Sequence, residues 1–289
     1  MNTSNEHIKL IECPRDAMQG IPFFIPTEIK AKYINILLRT GFHTIDFGSF
    51  VSPKSIPQMK DTADVLDLLN LDGERAALLA IIANERGAEQ ALLYPEIDYL
   101  GFPLSLSETF QQRNTNKSIQ EAFETVDAIQ HRCIRQNKNL VVYLSMGFGN
   151  PYGDPYESSF VLEFVEKLDQ LEITTISLSD TIGSSEPEGI KSLFRTLNPS
   201  FPHIEFGAHF HSRPDQSIDK INAALDSGCR RIDSTIKGIG GCPMAKDELV
   251  GNIDTELLIH QLEGRKINSG IHKELFSEAS LLAAEIFMK

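Results

Sequence analysis

Residues 203–234 read HIEFGAHFHSRPDQSIDKINAALDSGCRRIDS, and the order of residue types in this stretch decides the fold. His203–His209 and Arg230–Ser234 are short runs with strand character. Pro214 opens the segment between them, and its missing N–H costs nothing in a first helical turn. Ile218, Ile221 and Leu225 follow on one helical face, and Gly228 stops the pattern. Strand, helix and strand in this order predict two parallel strands joined by a right-handed crossover.

The same cycle runs outward in both directions. Ile8–Cys13, His43–Phe47, Arg75–Ile82, Glu96–Phe102, Asn139–Ser145 and Thr174–Leu178 bring the predicted strands to eight. Helix starts lie between them. Ser118-Ile-Gln-Glu121 reads as a capping box ahead of Ile119, Ala122, Phe123, Val126 and Ile129 at helical spacing. Asp154-Pro155-Tyr-Glu157 and Ser185-Glu-Pro187-Glu188 repeat that logic. The third unit is ambiguous, because Arg75–Leu93 fits either a short strand and helix or one long helix. No Pro/Gly/Ser-rich linker interrupts the series. The reading is α/β: one domain over residues 1–289, a closed (β/α)8 TIM barrel with an additional C-terminal helix at about 271–287. An open doubly wound sheet is the alternative. Against it, the first strand runs into Pro14-Arg15-Asp16 and not a glycine-rich dinucleotide loop.

Composition narrows the function class. Asp and Glu number 40 against 27 Lys and Arg, a net charge of −13, so no basic face for a nucleic-acid partner is expected. No apolar run approaches a membrane span, and the first residues lack the apolar core of an export signal. Cys13, Cys133, Cys229 and Cys242 stand far apart with no CxxC, so neither a zinc cage nor a disulfide framework is indicated. A cytoplasmic setting is the expectation.

Set against the strand list, the unusual polar residues collect at carboxyl ends of strands, the face on which barrel active sites are built. Arg15 and Asp16 follow the first strand, Asp46 closes the second and Asp180 follows the sixth. His209 and His211 end the seventh, and Gly238–Cys242 and Asn252 follow the eighth. Residues i and i+2 of a strand face the same side, so His209-Phe-His211 can present both imidazoles together. Two imidazoles with Asp16, and with the hard amide oxygen of Asn252, are enough for a divalent ion. The plainer reading is a hydrogen-bonded histidine pair in a polar loop. Arg15 fits either an ion pair or a cation aimed at a developing enolate. Cys242, in Gly-Ile-Gly-Gly-Cys-Pro, fits either a flexible turn or a lid that carries a proton donor. From its local sequence, Asp180 reads first as a cap for the following turn.

These blocks, in this order, resemble the 3-hydroxy-3-methylglutaryl-CoA lyase family of the DRE-TIM metallolyase superfamily. The resemblance runs from Ile8 to the final helix. It is carried by Glu12-Cys-Pro-Arg-Asp-Ala-Met-Gln19, Ser49-Phe-Val-Ser-Pro-Lys54-Ser-Ile-Pro-Gln-Met59, Ser107-Glu-Thr-Phe110, Ser177-Leu-Ser-Asp-Thr-Ile-Gly183, His209-Phe-His211 and Asp233–Pro243. It implies Asp16, His209, His211 and Asn252 as ligands of Mg2+ or Mn2+. It implies Arg15 as the catalytic arginine, Cys242 as the cysteine of a mobile loop, and Asp180 and Gln19 near the acyl group. Asn114 falls where the family touches substrate or CoA, and Lys54 near the CoA entrance. The implied activity is metal-dependent cleavage of a 3-hydroxyacyl-CoA thioester to acetyl-CoA and a keto acid, in a homodimer. A condensing synthase and a barrel that binds metal or CoA without turnover are the competing readings. The synthases usually carry a further C-terminal regulatory domain, so the single final helix favours cleavage.

Four departures stand out. Ala17-Met18-Gln19 replaces the family's Gly-Leu-Gln, and Asp46, the candidate catalytic acid or base, replaces the family's Glu and is one methylene shorter. Val141-Val142-Tyr143 replaces Arg-Gly-Tyr on the fifth strand and removes a cation. Pro243–Gly251 is one residue longer and more charged than usual. They point to a divergent member whose acyl substrate differs in detail.

Overall fold

The computed structural model describes residues 8–241 and 250–288. Eight parallel strands, β1 (Lys9–Glu12), β2 (Thr44–Ser49), β3 (Ala77–Ile81), β4 (Tyr99–Ser105), β5 (Asn139–Ser145), β6 (Thr175–Asp180), β7 (Glu205–Phe210) and β8 (Arg231–Ser234), pair in sequence order. The cylinder closes where β8 pairs with β1, from Lys9 opposite Arg231 to Glu12 opposite Ser234. A last helix, Lys273–Phe287, packs beside the helix Thr27–Leu37, with Tyr33 and Phe287 edge to face at 5.8 Å. The (β/α)8 barrel with its C-terminal helix is therefore the observed fold. Among the described residues, no helix is long and apolar enough to cross a membrane.

Strand alternation divides the core in two. On β5, Leu140, Val142 and Leu144 join the large apolar layer between the sheet and its helices. Val141 and Tyr143 instead meet Leu79, Ile81 and Tyr99 inside the barrel. Each large apolar side chain so buried contributes about 1.5–3 kcal/mol. The outer layer is held by amphipathic helices such as Ile119–Arg135, which buries Ala122, Phe123, Val126, Ile129 and Cys133 and begins on the predicted capping box. In that box Ser118 Oγ accepts from the Glu121 amide, and the Glu121 carboxylate accepts from the Ser118 amide.

Several boundaries differ from the sequence reading. The third unit is a strand followed by the short helix Glu85–Ala91, started by Asn84, whose side chain accepts from the Gly87 amide at 2.9 Å. β4 begins three residues later than predicted and runs through Pro103. The proline is tolerated because pairing with β3 has already ended at Gly101, so no ladder bond needs its missing N–H. Asp154 does not start the following helix, which is Ser158–Gln170. Its carboxylate reaches back to the Ser107 hydroxyl and the Thr109 amide at the start of Glu108–Thr115. Ile218 stays exposed while Ile221 and Leu225 are buried. β6 extends to include Asp180, which therefore ends the strand and does not follow it.

Candidate active site and metal centre

β1 gives way at once to a six-residue helix, Pro14–Gln19, so Arg15 and Asp16 project from its first turn at the barrel mouth. On the far side of the mouth, His209 faces inward from β7, and His211, two residues on, keeps the same side. Each imidazole is fixed through Nδ1. That of His209 lies 3.1 Å from Asp233 Oδ2, and that of His211 lies 2.8 Å from the Thr181 carbonyl oxygen. A carbonyl and a carboxylate only accept, so both Nδ1 atoms carry the proton, and each ring when neutral offers its Nε2 lone pair. Burial works to lower the His209 pKa, but Asp233 and Asp16 hold it above its ordinary value. The two Nε2 atoms point at Asp16, with His209 Nε2 3.7 Å and His211 Nε2 4.0 Å from Oδ2.

The donor set fits a divalent cation. One ligand atom from each of Asp16, His209 and His211 lies within 4.8 Å of the others. His211 Nε2 is buried with no hydrogen-bond partner among the described residues. Burial, and then the neighbouring His209, push the His211 pKa below its ordinary value, so its lone pair is available. Burial works to raise the Asp16 pKa, but Arg15 and the two histidines win and hold it below the usual carboxylate range. Cys13, His209 and Asp233 form a second cluster of the same size. Burial, and then Asp233, push the Cys13 thiol well up, which leaves it protonated and a poor ligand.

Asn252 is brought to the site by a backbone bridge to His211. Its amide nitrogen donates to Asp16 Oδ2 at 3.0 Å and to the Ile239 carbonyl at 3.1 Å. As placed, its nitrogen faces Asp16, and a ligand role for its oxygen requires the amide to turn over. Gly240, with φ of +113°, allows this close approach: a Cβ there would lie 2.5 Å from Asn252 Nδ2.

Arg15 is held from both sides. Asp46 takes Nε at 3.0 Å and Nη2 at 2.6 Å, and the Gln19 side-chain oxygen accepts from Nη1 at 2.9 Å. Gln19 in turn donates through Nε2 to Asp16 Oδ1, tying the guanidinium to that carboxylate. Burial pushes Asp46 up to about 6 against the pull of Arg15, so the pair is ionic at neutral pH. A guanidinium has five N–H groups. With Nε, one N–H of Nη2 and one of Nη1 engaged, one on each Nη is left without a hydrogen bond among the described residues.

A cavity of about 410 Å³ opens above these residues. Arg15, Asp16, Gln19, Asn114, His209 and His211 line it, together with Arg113, Tyr143 and Ser179. Asp46, Lys54, Asp180 and Asn252 do not. Asp46 sits behind Arg15. Lys54 is exposed on the turn whose Ser52 and Ser55 form part of the rim. The Asp180 carboxylate is turned into the protein, where it meets Lys220 Nζ at 2.7 Å, the amides of Ser184 and Ser185 and the Ser185 hydroxyl. Cys242 lies outside the described residues. Sequence reasoning did not single out Asp233 or Arg113. The inward position of Asp233 on the eighth strand was the one available signal.

Comparison with known proteins follows the same lines. The family model described as HMGL-like matches residues 8–282. A hydroxymethylglutaryl-CoA lyase of Bacillus subtilis is 33% identical over 268 residues, covering 92% of this chain and 88% of that protein. The mitochondrial hydroxymethylglutaryl-CoA lyase of Rattus norvegicus is 32% identical over 283 residues, covering 96% and 85%. Among solved structures, an HMG-CoA lyase from Acinetobacter baumannii in complex with coenzyme A and 3-methylmalate superposes with a TM-score of 0.91. It is 28% identical and covers 100% of this chain and 93% of that one.

Proposed function

This chain belongs to the HMGL-like family, and from that premise we propose that it cleaves 3-hydroxy-3-methylglutaryl-CoA, or a closely related 3-hydroxyacyl-CoA, to acetyl-CoA and a keto acid. One observation carries the reading. Asp16 and the two Nε2 lone pairs of His209 and His211 converge at the floor of a cavity, beside an arginine with unspent N–H groups.

Asp16, His209 and His211, with Asn252 alongside, would hold Mg2+ or Mn2+, which supplies Lewis-acid polarisation and a template for the substrate's oxygens. Asp16 is the only carboxylate among the described lining residues, and in this reading it takes the proton of the substrate's tertiary hydroxyl. As that O–H pair becomes the new carbonyl, the C2–C3 pair passes to the thioester as an enolate. The two unspent N–H groups of Arg15 meet the enolate oxygen, a contact worth most where the charge is greatest. Asp46 and Gln19 hold the guanidinium in that attitude and leave it no reorganisation to make. A proton delivered to C2 then completes acetyl-CoA, and Cys242 is the candidate donor. Asn114 and Arg113 belong to the wall along which the thioester arm would lie. A homodimer and a cytoplasmic setting complete the proposal and rest on the family resemblance and the sequence.

The test is an assay of purified protein with Mg2+ or Mn2+ and a panel of 3-hydroxyacyl-CoA esters, following acetyl-CoA and the keto acid. Metal-dependent acetoacetate from 3-hydroxy-3-methylglutaryl-CoA is the expected result. Turnover of another ester alone would replace the acyl group and keep the chemistry. Inertness toward every ester in protein that binds the metal would refute the reading.

A further inference from the structure

Beneath the candidate metal site the barrel encloses a second polar group that the chemistry above does not use. Arg231 and Asp233 alternate with Ile232 on β8, so both enter the barrel while Ile232 joins the outer apolar layer. Arg231 is 0% exposed and Asp233 2%. Tyr143, Ser177, Gly207 and Arg231 are successive register partners across β5, β6, β7 and β8, which puts them in one layer. Gly207 makes the room: a Cβ there would stand 3.1 Å from Arg231 Cδ. The guanidinium lies 5.7 Å from the centroid of the Tyr99 ring, and its Nη1 is 3.6 Å from Glu205, beyond hydrogen-bond reach.

Nε, Nη1 and Nη2 of Arg231 have no hydrogen-bond partner among the described residues. The same holds for the hydroxyls of Tyr143 and Ser177 and for Asp233 Oδ1. Buried polar groups are nearly always satisfied, and ordered water does this where protein does not reach. A buried carboxylate also needs a cation to offset its desolvation. Burial works against the Arg231 charge, yet the Asp233 carboxylate beside it holds the guanidinium pKa above its ordinary value. The other oxygen of Asp233 is already committed to His209 Nδ1.

We propose that Asp233 is the positioning residue of His209, and that the buried Arg231 beside it supplies its countercharge. Asp233 Oδ2 fixes the Nδ1–H tautomer and the ring plane, and so aims the Nε2 lone pair at the cation beside Asp16. Arg231, fully buried two residues before Asp233 on the same strand, is the cation that shares the barrel interior with that carboxylate. The inference rests on the metal-site reading above and is independent of which acyl group is cleaved.

The test measures Mn2+ binding to the metal-free full chain by electron paramagnetic resonance, in wild type, Asp233→Asn, Arg231→Met and the double variant. Asp233→Asn is expected to weaken Mn2+ about tenfold or more. Arg231→Met should weaken it severalfold, and the double variant should bind no worse than Asp233→Asn, because both changes disable one unit. Nitrogen-15 spectra of histidine-labelled, metal-free wild type should place the His209 proton on Nδ1, a readout that needs no variant to fold. Wild-type affinity in Asp233→Asn, simple addition of the two effects, or a His209 proton on Nε2 would each overturn the proposal. Wild type that binds no Mn2+ would instead overturn the metal reading beneath it.

Discussion

Asp46 grips Arg15 through two nitrogens, Nε at 3.0 Å and Nη2 at 2.6 Å, from a position 1% exposed behind the cavity wall. The shorter carboxylate on the second strand thus meets the arginine and not the cavity. Asp46→Asn keeps the shape and removes the charge. Breaking a buried pair this way costs about 3 kcal/mol of stability, at the low end of the usual range because Asp16 remains beside Arg15. Urea unfolding should show that loss, while Mn2+ affinity stays within a few-fold of wild type.

Arg15→Met separates catalysis from metal binding. It leaves Asp16, His209 and His211 in place and deletes both unspent N–H groups. Turnover of 3-hydroxy-3-methylglutaryl-CoA should fall by roughly 10²–10³, the usual cost of an oxyanion donor, with Mn2+ titrations little changed. Near-normal kcat would remove Arg15 from the enolate role.

The buried Asp180 carboxylate is spent on Lys220, whose ammonium also holds the carbonyls of Gly183 and His211. Asp180→Asn should therefore act on stability first, by about 3–5 kcal/mol in chemical denaturation. Its effect on Mn2+ affinity should be smaller than that of His211→Ala.

Much of this was legible in the sequence because the signals are local. His209-Phe-His211 shows its two-residue period, Ser118 to Glu121 shows its cap, and eight strand–helix cycles show the cylinder. What was not legible joins residues far apart. Asp154 caps a helix 45 residues earlier through Thr109, and Asp180 finds Lys220 forty residues on. Neither pairing leaves a trace in the flanking residues; the capping reading holds for Asp180, which also accepts from the Ser184 and Ser185 amides, and fails for Asp154. Val141 on the fifth strand and Arg231 on the eighth likewise both enter the barrel. Only closure of the barrel puts the two in one interior.

Glu12 gives a pH signature. It is fully buried at the end of β1, where it accepts from the Ile236 amide at 2.8 Å and the Thr255 hydroxyl at 2.6 Å. Burial raises its pKa from 4.5 to about 8, against the pull of those two hydrogen bonds. Below pH 4.5 the folded and unfolded chains are both protonated there. Between 4.5 and about 8 only the folded chain keeps the proton, so stability falls as pH rises, and the fall levels off above that. Glu12→Gln has no such proton to lose. It should unfold at nearly the wild-type urea midpoint at pH 5 and at a higher midpoint than wild type at pH 8.5. A parallel pH dependence in the two proteins would contradict the assignment.

The convergence of Asp16, His209 and His211 on one cation is most directly measured by anomalous diffraction from crystals grown with Mn2+. A single strong peak is expected at the cavity floor, bonded to an Asp16 carboxylate oxygen and to both Nε2 atoms. A peak elsewhere, or histidine rings turned from Asp16 with no ion between them, would contradict that convergence.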